Sequence, residues 1–199
     1  MVGTRGIGAT VILAGGAGAR LGGNKPLRLL AGRPLIAHVA ARCWGPLWIN
    51  ASDPRLATYG TLVPDLPSPG QGPLVGVWSA LCYAEALGIE TVLTVPVDTP
   101  FLPLDLPDRL AAGLADGRAA VAATPEGWQS ACALWRVAAA AGLEARLAAG
   151  DWSLHGALRA VSARVVDFGV EITPLFFNIN TLADLAAAET RGSVANGPN

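Results

Sequence analysis

The chain has 199 residues, 52% of them hydrophobic and 15% charged, with a formal net charge of −1. That length suits a single α/β domain with a large core, and the near-neutral balance gives nonspecific nucleic-acid binding no electrostatic support. No uninterrupted apolar run approaches the roughly 18 residues of a membrane span, and the short apolar stretch near the N-terminus is below the length of an export signal.

In chain order, β-branched and apolar runs predict strands at 9–13, 46–50, 61–64, 91–95, 119–123, 131–135, 164–168 and 175–178. Between them, alanine- and leucine-rich segments predict helices at 34–43, 73–87, 105–116, 137–149, 153–160 and 181–190. Pro34 and Pro73 sit where a first helical turn tolerates a missing N–H. Strands alternating with helices in this rhythm give a three-layer α/β sandwich, a mostly parallel sheet with helices on both faces. One domain covering 1–190 is expected, followed by a Gly-, Ser-, Asn- and Pro-bearing tail at 191–199 that is expected to fray. The three cysteines, Cys43, Cys82 and Cys132, lack C-x-x-C or zinc spacing and read as buried thiols of a cytoplasmic protein.

Directly after the first strand the chain reads L-A-G-G-A-G-A-R-L-G-G-N-K, from Leu13 to Lys25. Glycines bring backbone N–H groups close to a ligand, and Arg20 and Lys25 add positive charge, a combination suited to nucleotide phosphates. It is not a Walker A loop, because Lys25 lies between Asn24 and Pro26 with no following Ser or Thr. Nor is it a dinucleotide fingerprint, because the third glycine arrives at Gly22 and no acidic residue follows at the expected distance. A glycine-rich turn with no ligand is the plain alternative.

Ligands of open parallel sheets bind beyond the carboxyl ends of the strands, which directs attention to Asn50 and Ser52, to Asp65, and to Asp98 in P-V-D-T-P. A lone loop aspartate is usually solvated. Asp98, however, is held between Pro96 and Pro100, and a rigid carboxylate near phosphates is a natural magnesium ligand. The two histidines, His38 and His155, fall in predicted helices and read as structural or solvent-facing.

Four ordered blocks, the loop L-A-G-G-x-x-x-R-L-G-G-N-K, then G-P-L-V-G-V-W-S-A-L, V-P-V-D-T-P-F-L and F-N-I-N-T-L-A-D-L, resemble the molybdenum cofactor guanylyltransferase family. They span residues 13 to 185. The resemblance implies a Rossmann-like nucleotidyltransferase that joins GMP from GTP to the molybdopterin cofactor and releases pyrophosphate. It further implies that Leu13, Ala14 and Gly15 surround the guanine end of GTP, that Gly16 also binds GTP, that Lys25 meets its phosphates, and that Asn50 and Asp65 line the nucleotide pocket. Asp98 would hold Mg²⁺, Arg20 would neutralise phosphate or leaving-group charge, and Asn178 and Asn180 would shape the acceptor side. Other cofactor-synthesis proteins and apo molybdoenzymes are the partners it suggests. For Asn180 and Thr181 the plain alternative is a helix cap, with Thr181 and Asp184 forming a loose capping box in which aspartate replaces Glu or Gln.

The chain departs from the family at Ala17, Gly18 and Asn24, the last standing where many members carry an acidic residue. Relatives that attach CMP tend to read L-A-A-G and D-Q-P, so Gly15-Gly16 and Thr99 favour guanine. Two alternatives stay open, a cytidylyltransferase or other nucleotidyltransferase of the same family and a noncatalytic GTP- or cofactor-binding carrier; the F-N-I-N-T ending and the short length argue against a sugar-1-phosphate nucleotidyltransferase of related loop. The P-S-P-G-Q segment before Gly72 is a candidate lid.

Overall fold

A computed structural model describes residues 7–15, 24–68 and 72–195, with the side chains of 191–195 excepted. Among these, β1 (Ala9–Leu13), β4 (Leu47–Asn50), β5 (Thr61–Leu62), β6 (Thr91–Pro96), β7 (Ala119–Thr124), β8 (Gly127–Arg136) and β9 (Arg164–Asp167) form a seven-stranded sheet ordered β5-β4-β1-β6-β8-β7-β9. All pairings are parallel except those of β8, which runs against both β6 and β7.

The strand sequences explain the layering. Every residue of β1 and β7 is buried, as expected of strands covered on both faces. Alternate side chains enter two separate cores. Val11, Val92, Val121, Ala133 and Trp135 meet α2 (Pro73–Ala86), α4 (Ala140–Ala148) and α5 (Leu154–Ala160) on one face. Ile12, Leu93, Val95, Ala120 and Leu134 meet α1 (Leu35–Ala40) and α3 (Leu106–Leu114) on the other. This is the three-layer arrangement that the period-2 pattern of these runs requires. The polar groups within the sheet are satisfied: Thr94 Oγ1 donates to the Ala133 carbonyl at 3.1 Å and accepts from Trp135 Nε1 at 3.3 Å. No helix of the described residues is long and apolar enough to cross a membrane.

Two segments differ from the sequence-based expectation. A small hairpin of β2 (Leu29–Leu30) and β3 (Arg33–Pro34) precedes α1, turning through Ala31 at φ 47° and Gly32 at φ 76°, so Pro34 lies just before the helix. Positive φ at both central residues is the signature of a tight two-residue hairpin, hard to foresee with alanine at the first of them. The run at 175–178 is not a strand. A short helix α6 (Gly169–Ile172) leads into a 3-10 turn, Thr173–Phe176, and Phe176 packs edge-on against Phe168 at 5.3 Å. The apolar run demanded burial, and the aromatic anchor supplies it without a place in the sheet. The chain then passes the site and enters α7 (Leu182–Ala195), whose helical backbone runs beyond position 190. Residues 196–199 of the expected tail lie outside the described residues.

Candidate active site

At the carboxyl end of the parallel strands lies a cavity of about 500 Å³. Its wall takes residues from every strand end that crosses it: Asp65 after β5, Asn50 at the end of β4, Leu13 and Gly15 from β1, and Asp98 and Thr99 after β6. Backbone bonds hold these ends in line, Ala14 N–H donating to Asn50 and Val97 N–H to Leu13, both at 3.2 Å.

Asn50 is the fixed point of one half. Its side chain is 4% exposed, and its Nδ2 donates to the Val63 carbonyl at 3.0 Å and to Asp65 Oδ1 at 2.9 Å. Its Oδ1 is left facing the glycines. A Cβ on Gly76 would stand 2.1 Å from that oxygen, so only glycine lets α2 pass this close. A Cβ on Gly15 would reach ordinary contact with the same atom at 3.8 Å, so the fold itself does not demand glycine there. Gly72, at φ 98°, turns the chain into α2 in a conformation that favours glycine.

Lys25 is the fixed point of the other half. It opens a 3-10 turn, Lys25–Leu27, anchored by the buried Pro26. Its Nζ donates to Asp98 Oδ2 at 2.5 Å and to Asn180 Oδ1 at 2.7 Å, and the Lys25 and Asp98 side chains are 16% and 20% exposed. The Asp98 carbonyl accepts from Ile179 N–H at 2.9 Å, and Thr99 Oγ1 donates to Asn178 Oδ1 at 2.6 Å. Thus the first, third and fourth sequence blocks meet at one ammonium, while the first and second meet at Asn50.

Asn180 does more than cap a helix. Its side chain goes to Lys25, while its backbone N–H and that of Thr181 donate to Asp184 Oδ2 at 2.9 and 2.8 Å; Thr181 Oγ1 accepts from Asp184 N–H at 3.1 Å. The capping box is fully reciprocal despite the shorter aspartate. These N–H donors, Thr181 and the nearby Lys25 charge hold the Asp184 carboxyl below its ordinary value.

Asn24 adopts φ 51° and ψ 39°, a left-handed conformation that Asn tolerates better than most residues. Its Oδ1 accepts from Arg55 Nη2 at 3.0 Å, and Arg55 is itself held by Asp53 at 2.6 Å. Asn24 thus keeps the arginine contact that an acidic residue could make there, without its charge. Gly16 and Arg20 lie outside the described residues, as do residues 69–71 of the candidate lid.

Sequence reasoning missed one wall, Trp128 to Cys132 on β8. Attention to residues just past strand ends finds them only if the strand is parallel. β8 is antiparallel, so its beginning, not its end, reaches the site; the tight T-P-E-G link to β7 was the available signal. Cys132 is buried there, and burial together with the Asp98 charge pushes its thiol pKa well up, keeping it neutral. Burial likewise pushes the Cys43 thiol up to about 12. His38 Nε2 donates to the Leu30 carbonyl at 2.8 Å, a structural role as expected.

The MobA-like NTP transferase domain family matches residues 10–192. A molybdenum cofactor guanylyltransferase of Acidiphilium cryptum is 44% identical over 187 residues, covering 90% of this chain and 92% of its own. One from Cereibacter sphaeroides is 45% identical over 189 residues, covering 90% and 94%. In fold, the chain is similar to the crystal structure of molybdopterin-guanine dinucleotide biosynthesis protein A from Archaeoglobus fulgidus, with a TM-score of 0.75 at 24% identity, covering 94% of this chain and 99% of that one.

Proposed function

This chain belongs to the MobA-like NTP transferase family, among its molybdenum cofactor guanylyltransferases, and on that premise we propose how its residues join GMP from GTP to the terminal phosphate of molybdenum-molybdopterin. An oxygen of that phosphate bonds to the α-phosphorus of GTP while the bond from the α-phosphorus to the bridging oxygen breaks, and pyrophosphate leaves. The second pKa of a phosphate monoester is about 6, so the nucleophile is already ionised at neutral pH and needs no general base. The barrier is the approach of two polyanions, which positioning and charge neutralisation lower.

What supports this reading most is the placement of Lys25. An ammonium has three donors, and among the described residues Asp98 and Asn180 take two of them, which leaves the third for a phosphate oxygen with the side chain already fixed. Arg20 keeps its assignment to phosphate or leaving-group charge. Asp98 has the chemistry for Mg²⁺, which is commonly held by one or two carboxylates with substrate phosphates and water completing the shell. The described residues hold no cluster of three potential metal-ligating His, Cys, Asp or Glu side chains, which fits that mode better than an all-protein cage. When bound, the ion would neutralise phosphate charge.

Guanine selectivity we assign to Gly15 and to the Asn50–Asp65 pair. Gly15 leaves room beside Asn50 Oδ1, and Asp65, with one oxygen engaged by Asn50, retains acceptor capacity for the amino edge of guanine. We assign Asn178 and Asn180 to the acceptor side. We place the reaction in the cytoplasm, where free thiols persist.

The test is incubation of the purified protein with molybdopterin cofactor, Mg²⁺ and each of GTP, CTP, ATP and UTP, reading pyrophosphate release and product mass. GTP-selective formation of the dinucleotide is expected. Preference for CTP would overturn the base assignment, and GTP binding without turnover would support a carrier instead.

A further inference from the structure

The wall formed by β8 points to a role for two aromatic residues that the mechanism above leaves unused. Trp128 lines the cavity half-buried, and the exposed His155 of α5 packs on it, ring centroids 4.7 Å apart and tilted by 44°. Ser130 Oγ lies 3.5 Å from His155 Nδ1, a second tie between the strand and the helix.

Position along the sheet decides what this pair faces. Strand order is β5-β4-β1-β6-β8, and neighbouring strands stand about 4.8 Å apart, so the cavity is a trough running roughly 19 Å across the strand ends. Lys25 and Asp98 fix the phosphates above β6. Asn50 and Asp65, at the β4 and β5 end, take the base. The remaining end, above β8, is left for the acceptor, whose pterin is a flat, fused nitrogen heterocycle.

We propose that Trp128 is the stacking platform for the pterin of the acceptor, with His155 as a positioning residue that holds the indole in place. This rests on the guanylyltransferase reading. Aromatic faces recognise heterocycles by stacking, and a rigid backing ring spares the cost of ordering the platform on binding. A second cavity of about 510 Å³ shares Gln129 and Asn178 with the first. Its lining includes the exposed Glu126, whereas in the first cavity the carboxylate after β6, that of Asp98, is paired with Lys25, and for an anionic acceptor this favours the Trp128 wall.

The experiment is steady-state kinetics of dinucleotide formation with each substrate varied in turn. Trp128→Ala should raise KM for the molybdopterin cofactor on the order of tenfold while moving KM for GTP by less than about twofold, with Trp128→Phe retaining most of the wild-type value. His155→Ala should raise the same KM by a smaller factor, and His155→Phe should restore it. A merely structural role would lower the folded fraction and kcat and leave the KM values alone. Wild-type acceptor KM in Trp128→Ala, or a rise confined to the KM for GTP, overturns the platform. So does a rise in acceptor KM on filling the second cavity with Val170→Trp while Trp128→Ala has none. If Trp128→Ala fails to fold, Trp128→Phe and the His155 variants carry the decision. Failure of the wild-type protein to form any guanine dinucleotide would instead overturn the functional reading beneath it.

Discussion

Replacing either of two glycines by alanine should have opposite consequences, because both face the same oxygen at different distances. At Gly15 the new methyl would meet Asn50 Oδ1 at 3.8 Å, an ordinary contact, and would occupy space in the cavity that Gly15 lines. Folding stability should therefore stay within about 0.5 kcal/mol of wild type. Activity should not. A methylene too many in a shaped pocket is worth roughly 1–3 kcal/mol, so kcat/KM for GTP should fall on the order of 10–200-fold, with a smaller loss for CTP. At Gly76 the methyl would stand 2.1 Å from the same oxygen and must displace Asn50, straining its bonds to Val63 and Asp65. Overpacking of this kind costs about 1–3 kcal/mol, against which the better helix propensity of alanine returns somewhat less than 1 kcal/mol. Thermal melts and kcat/KM for both nucleotides separate the two cases. A Gly15→Ala protein with wild-type kcat/KM for GTP would refute the placement of guanine beside Gly15. A raised melting temperature in Gly76→Ala would refute the account of how α2 reaches Asn50.

Asp98→Asn should abolish dinucleotide formation, since it removes the carboxylate that orients Lys25 and is proposed to hold the metal; full turnover in that variant would sink the mechanism. Asp184 has a depressed folded pKa, so the stability it contributes is complete above its unfolded value of about 3.9 and is lost as pH falls through the lower folded value. Melts of wild type and Asp184→Asn from neutral pH down to about pH 2 should show a gap at neutral pH that closes at the acid end, and a constant gap would contradict the capping role. Trp135→Ala should cost about 3–5 kcal/mol in denaturant unfolding, because a fully buried ring is removed and Thr94 loses a donor. A cost under about 1 kcal/mol would mean that the core closes over the gap.

The sheet was legible because each parallel strand is a short apolar run buried on both faces, and the helices because alanine-rich segments separate those runs. Of the site, Lys25, Asp98, Asn178 and Asn180 were found in sequence blocks and do converge in space. The reach of Lys25 to Asn180 has no local signal, since 155 residues separate them. Trp128 was invisible for a topological reason, the reversal of β8. The 175–178 run misled because hydrophobicity reports burial and not hydrogen bonding, and the Phe176 anchor satisfies burial alone.

The double tether of Lys25 also bears on when the site comes into being. One anchor lies 73 residues downstream and the other 155, so a ribosome must release nearly the whole chain before the ammonium has both of its partners. An N-terminal fragment ending before Asn180 can pair β1, β4 and β6 yet leaves Lys25 with a missing acceptor. Premature termination or proteolysis before Asn180 therefore leaves a polypeptide that holds most of the core while its Lys25 lacks one of the two tethers.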